Sequence, residues 1–205
     1  MAQSLSPEQL EEGLLNVRRA YRLLHEFHGL VHDIVRSAES FFNLKLRSGE
    51  YLYTDINGIK NPLSWSTWDL LPGYVYRYTS NEIDFTDKVG ASTKGKNIRL
   101  SILLISDTGF YEGEATDKRS ITEYAPAEHS ATNLVFLLRN DSSPWMGKND
   151  AYLLTLGDEP SPKEPNGPLP LAQKFNLARF LNEESATACF QEFVEFCKNS
   201  GYPLL

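Results

Sequence analysis

The sequence predicts an α+β fold with a long N-terminal helix, a central and mostly antiparallel sheet of about five strands, and a C-terminal helix. Three observations lead to this fold class. Apolar residues recur at helical spacing over the first 42 residues, strand-like runs follow between residues 50 and 157, and a capped amphipathic segment closes the chain. No helix-length pattern separates the strands, which argues against βαβ units. We expect a single domain over residues 1–205.

The first helix is expected within residues 1–45 and begins with a clear start signal. Ser6 can cap the helix, Pro7 suits its first position, and Gln9 completes a capping box. The bulky residues that follow are spaced alternately by four and three positions, which is the spacing of a coiled-coil seam. They are Leu10, Leu14, Val17, Tyr21, Leu24, His28, Val31, Val35, Ala38 and Phe42.

The apolar face of this helix widens along its length, because a second stripe begins at Leu23 and includes Phe27, Leu30, Ile34 and Phe41. A wide face belongs in a core, whereas a narrow seam is suited to pairing with another helix. A continuous helix would span about 54 Å, more than the roughly 43 Å diameter of a compact chain of this length. We therefore expect self-association, most simply as a homodimer, through the first five seam residues, which are Leu10, Leu14, Val17, Tyr21 and Leu24.

A competing arrangement would break this helix and fold its first half back onto the C-terminal helix. Gly13 and Gly29 are the weak points at which such a break would occur, because glycine is a poor helix former.

The sheet region is expected over residues 50–157. Strand-like runs lie at residues 51–54, 74–78, 100–105, 134–138 and 151–156. The runs at 100–105 and 134–138 are almost continuously apolar, so we expect both to be central strands that are buried on both faces. A proline-rich loop is expected over residues 158–181, and Asn182 should cap a last helix over residues 182–200 that ends at Gly201.

Composition restricts the class of partner and the compartment. The net charge of −7 comes from residues 101–205, which hold 8 basic and 15 acidic side chains, so we expect no binding to a nucleic acid backbone. There is no run of 18 apolar residues and no signal-peptide pattern, which favours a cytoplasmic protein that does not contact a membrane. Cys189 and Cys197 would lie about 12 Å apart on one helix, too far for a disulfide.

Two short segments match catalytic motifs only in part. The segment 90–97 resembles a phosphate-binding loop, but it ends in Asn97 rather than a hydroxyl residue and precedes a strand rather than a helix. Asp107, Thr108 and Gly109 follow an apolar run as in an aspartic protease, but Phe110 stands where that motif needs a small residue. We interpret the first as a surface loop and the second as an ordinary Asp turn.

Polar clusters provide only weak candidates for chemistry. His25, His28 and His32 share one helical face, but on a straight helix all three cannot converge on one ion. An acidic stretch follows Asp107, without the spacing of a calcium-binding loop. The candidate catalytic residues are His28, His32, Asp107, Glu112 and Glu114. We expect neither a bound metal nor a cofactor.

Two functions remain open from the sequence. The first is a non-enzymatic binding or regulatory protein that acts through protein–protein contacts, as a homodimer or with another protein. Its support is the helix seam together with the alternating Tyr74, Tyr76 and Tyr78, because tyrosine is enriched at binding surfaces. The alternative is a hydrolase or metal-dependent enzyme whose site is not visible as a motif.

The acidic stretch from Asp107 to Glu128 is predicted to be a solvated loop and not a structural metal site. Replacing Glu112 and Glu114 together by alanine should change the free energy of unfolding by less than about 1 kcal/mol, as for most surface substitutions. Chemical denaturation with and without added Ca²⁺ or Mg²⁺ measures this. A larger loss, or a strong stabilisation by either cation, would contradict the prediction.

Overall fold

The computed structural model describes residues 6–51, 75–83, 98–109, 124–140 and 170–205. Its long elements, in chain order, are α1 (Pro7–Phe42), β1 (Leu46–Tyr51), β2 (Val75–Ile83), β3 (Ile98–Ile105), β4 (Asn133–Asn140), β5 (Leu171–Asn176) and α2 (Glu183–Asn199). The five strands form one antiparallel sheet in which they lie side by side in chain order. The predicted α+β fold class is confirmed.

Helix α1 begins at the predicted cap and continues without a break for 36 residues. The backbone N–H of Gln9 donates to the Ser6 hydroxyl at 3.3 Å, and the Gln9 side chain accepts from the Ser6 N–H at 2.9 Å. The helix ends at Asn43, which adopts the left-handed conformation with φ 49°. Continuity through Gly13 and Gly29 excludes the folded-back arrangement, so that alternative is wrong.

Strands β3 and β4 form the centre of the sheet, as their apolar runs predict. They pair over their whole length, from Ile98 opposite Asn140 to Ile105 opposite Asn133. Apolar side chains are buried on both faces of these strands, including Ile102 and Phe136 on one face and Leu103 on the other. A strand buried on both faces cannot alternate between apolar and polar residues, which explains its nearly continuous apolar sequence.

Both helices pack against the same face of the sheet, around a cluster of aromatic rings. The ring of Phe136 lies 5.5 Å from Phe193 and 5.8 Å from Phe190 in α2, and 6.3 Å from Phe42 in α1, measured between ring centroids. Only the second half of α1 takes part in this core. Its buried residues are Val31, Ile34, Val35, Ala38 and Phe42.

Two sequence-based boundaries need correction. The loop predicted over residues 158–181 is too long, because strand β5 and a 3₁₀ turn at Leu177–Arg179 lie inside it. Strand β1 begins at Leu46, earlier than the run predicted at 51–54. The strand predicted at residues 151–156 lies outside the described residues.

Helix α2 follows the prediction closely. Asn182 and Ser185 form a capping box at its start, in which the side chain of each residue accepts a hydrogen bond from the backbone N–H of the other. Just after the end of the helix, Gly201 adopts a left-handed φ of 83°. Both cysteines of this helix are free and buried in the core. No helix among the described residues has both the length and the apolar character required to cross a bilayer.

The two thiols are predicted to be reduced and protected in the folded protein. Burial raises the pKa of both, and at Cys189 this outweighs the lowering effect of Arg179. A thiol reagent at about pH 8 should therefore react slowly with the native chain and should find two thiols per chain after denaturation without reductant. Absorbance titration measures both states, and finding no thiols after denaturation would contradict the prediction.

Candidate functional site

The first half of α1 exposes a row of large apolar side chains. The five predicted seam residues are exposed to similar extents, at 52% for Leu10, 43% for Leu14, 49% for Val17, 70% for Tyr21 and 46% for Leu24. We call these five residues the α1 seam. A contiguous apolar row on a helix is an unusual surface for a protein chain and commonly marks an interaction site.

The seam is exposed because α1 extends beyond the sheet that covers its second half. Every residue from Ser6 to Glu26 is exposed, and the first buried residue of the helix is Val31. A side-chain carbon added at Gly13 or Gly29 would meet no atom within 4 Å. About 30 Å of helix, at 1.5 Å per residue, is thus held outside the core.

The exposed half of α1 carries charged side chains in two groups along its length. Three acidic residues lie near the helix start and three basic residues lie about two turns later; they are Glu8, Glu11, Glu12, Arg18, Arg19 and Arg22. The Arg18 guanidinium reaches back over two turns to donate to the Glu11 carboxylate at 2.7 Å. At 100° per residue, Glu11 and Arg18 lie along one flank of the seam, and Gly13 and Ala20 lie along the other.

Further exposed leucines lie outside the seam. Leu23 and Leu30 are 64% and 49% exposed, but helical geometry places them on the opposite side of α1. Leu15 is also exposed and lies beside the charged flank. The sequence placed Leu23 and Leu30 in the stripe that faces the core, and their exposure shows that this expectation is wrong for these two residues. They provide a comparison surface of similar composition.

The histidine candidates lie where α1 reaches the sheet. His28 is half-buried with its ring 5.3 Å from that of Phe27, and the His32 ring contacts the edge of Tyr78 at 6.1 Å. Among the described residues, no group of three or more His, Cys, Asp or Glu side chains could hold a metal ion. Glu112 and Glu114 lie outside the described residues.

Asp107 forms a turn at the end of β3, as the simpler interpretation predicts. Its carboxylate accepts the Gly109 N–H at 2.8 Å. Burial and the charge of Asp107 raise the pKa of Tyr124 to about 12, so this phenol stays protonated. The register pairs Tyr78 with Ile102, five residues before Asp107, so roughly 17 Å of strand separates Asp107 from the place where His32 meets the sheet.

Tyr76 and Tyr78 lie on the helix-covered face of the sheet and are half-buried against the core. Their rings are 4.8 Å apart in an edge-on arrangement. Tyr76 also covers Gly49 of β1, where an added side-chain carbon would overlap its ring. These contacts are those expected of tyrosines that cover a glycine-containing edge of a sheet. Tyr74 lies outside the described residues.

A polar cluster joins β5 to α2 and was missed because two of its residues, Gln173 and Arg179, fell in the predicted loop. Gln173 is buried and donates to the Glu192 carboxylate at 2.7 Å, and Arg179 donates to the same carboxylate at 2.6 Å. The Arg179 guanidinium also lies 5.1 Å from the centre of the Phe175 ring. These hydrogen bonds connect β5 and the following turn to α2.

Comparison with known proteins identifies a family. A family model described as PM0109 matches residues 7–201. The chain belongs to the PM0109 family. The match includes all of α1 and ends two residues after α2, so the exposed helix is part of the family's matched region. The description of the family names no activity. No curated protein and no solved structure matches the chain.

The position of His28 predicts a pH dependence of stability. Burial, and secondarily the charge of His32, lower the pKa of His28 below its ordinary value of 6.5. The unfolded chain therefore takes up this proton at a higher pH than the folded chain, so stability falls as pH drops below about 6.5.

Replacing His28 by glutamine should reduce the loss of stability between about pH 7.5 and pH 5, because this proton uptake is removed. Urea denaturation across that range measures the slope. His25→Gln changes an exposed residue on the same helix and is the matched control, which should retain the original slope. An unchanged slope in His28→Gln would contradict this assignment.

Proposed function

We propose that this protein is a non-enzymatic binding or regulatory protein that acts through protein–protein contacts made by the α1 seam. The simplest partner is a second copy of the chain, which gives a homodimer. The observation that carries the proposal is the exposure of five consecutive seam residues on a helix that extends beyond its own core. We expect the protein to act in the cytoplasm.

The free energy available from this surface supports a moderate association. Burying a large apolar side chain completely contributes roughly 1.5–3 kcal/mol. Covering the exposed half of five such residues contributes roughly 4–8 kcal/mol per helix, or about twice that for two copies. Association costs roughly 4–15 kcal/mol in lost freedom of motion. The two terms are of the same order, so we expect a moderate affinity that stays well short of picomolar.

The geometry gives less support to the alternative of a hydrolase or metal-dependent enzyme. His28 and His32 pack against aromatic rings. The Asp107 carboxylate accepts a hydrogen bond within its own turn. These three side chains do not converge on one cavity. The proposal for a binding protein uses the longest apolar row that α1 leaves exposed among the described residues.

Self-association through the seam is predicted to be abolished by Val17→Glu combined with Leu24→Glu. Buried carboxylates would have to lose their hydration in the interface, which is strongly unfavourable. Light scattering at tens of micromolar should show a dimer for the original protein and a monomer for the variant. Circular dichroism checks that the helix remains, since both positions are exposed.

The matched control is Leu23→Glu combined with Leu30→Glu. It makes the same number of leucine- or valine-to-glutamate changes at similarly exposed positions, but on the opposite side of α1. This control should remain dimeric. A monomeric original protein at tens of micromolar would end the proposal of self-association.

A further inference from the structure

We infer that the partner on the α1 seam is a second copy of this chain that runs antiparallel to the first, with Leu10 opposite Tyr21 and Leu14 opposite Val17 of the second copy. This inference rests on the proposed function and specifies how the same surface is used. It follows from the arrangement of charged and small residues on the two flanks of the seam.

The charged flank favours the antiparallel direction. In an antiparallel helix pair each flank meets the same flank of the other helix, whereas in a parallel pair it meets the opposite flank. Antiparallel pairing therefore places Glu11 beside Arg18 of the second copy, and Arg18 beside Glu11. The 2.7 Å ion pair within one helix shows that the two side chains already extend along this flank.

The second flank fits the same arrangement sterically. It carries Gly13 and Ala20, and the Gly13 position has open space around it. Two flanks of small residues that face each other allow two helices to approach closely. In a parallel pair, by contrast, Glu11 and Arg18 would face these small residues and would gain no opposite charge.

The charges also select the register. With Leu14 opposite Val17, Glu11 lies only about 3 Å along the shared axis from Arg18 of the second copy, on the flank that the two helices share. Sliding the helices by one heptad, so that Leu14 lies opposite Leu24, would instead bring Arg18 of the two copies together on the charged flank. Like charges brought together are unfavourable, so the first register is preferred.

Disulfide trapping tests direction and register together. The full-length variants Leu10→Cys and Tyr21→Cys are prepared separately, mixed under conditions that allow chain exchange, and oxidised. Both positions are exposed and the native cysteines are buried, so only the new thiols are accessible. In the inferred arrangement a disulfide forms between the two different variants. Each variant alone stays uncrosslinked, because identical positions lie about 16 Å apart along the axis.

The possible results separate this inference from the proposed function. A mixed disulfide, identified by mass, supports the antiparallel pair. Crosslinking of Leu10→Cys with itself in a dimeric protein indicates a parallel pair, which overturns the inference and leaves the proposed function standing. A protein that is dimeric by light scattering but gives no disulfide also overturns the inference. A monomeric protein contradicts both.

Charge reversal provides an independent readout. Glu11→Arg should raise the dissociation constant of the antiparallel dimer several-fold, because two like charges then meet on the flank. Adding Arg18→Glu to the same chain restores opposite charges and should restore the affinity. Equal dissociation constants for all three proteins would overturn the inference, since a parallel pair does not bring these side chains together.

Discussion

The structure depends on a mismatch between the length of α1 and the size of the surface that can cover it. A helix of 36 residues spans about 54 Å. Five strands at about 4.8 Å spacing are roughly 19 Å wide from first to last, and strands of eight or nine residues are at most about 30 Å long. No placement on the sheet of described strands can cover the whole helix, so part of α1 extends beyond that sheet.

The aromatic cluster determines which half of α1 is covered. Phe42 at the end of the helix contacts Phe136 at the centre of the sheet and Phe190 and Phe193 on α2, so the two helices and the sheet share one core. The contacts of α1 with this core end near Phe27. Because Asn43 turns the chain directly from α1 into β1, the covered half is fixed by the connection as well as by the packing. The uncovered half is then necessarily the capped N-terminal one.

Periodicity and capping made most of this fold predictable. The alternating spacing of four and three residues between bulky side chains predicted α1. The continuously apolar runs predicted that β3 and β4 would be central. Strand β5 was missed because it follows a cluster of prolines, and because its apolar positions are interrupted by Gln173 and Lys174. Gln173 reaches a partner on α2, which a sequence pattern cannot show. The candidate histidines were similarly ambiguous, since only the tertiary contacts of His32 with Tyr78 indicate a packing role.

The antiparallel arrangement determines how far apart the two sheets of a dimer would lie. With residue 14 opposite residue 17, the two Val31 residues, where each helix enters its own core, lie about 46 Å apart along the shared axis. The two sheets would therefore sit at opposite ends of a short helical connection and would not cover one another. Any binding surface on the sheet domain would occur twice, once near each end of the helical pair. Such a pair can engage two sites on one partner, and the gain in affinity then depends on whether the spacing of those sites matches this span.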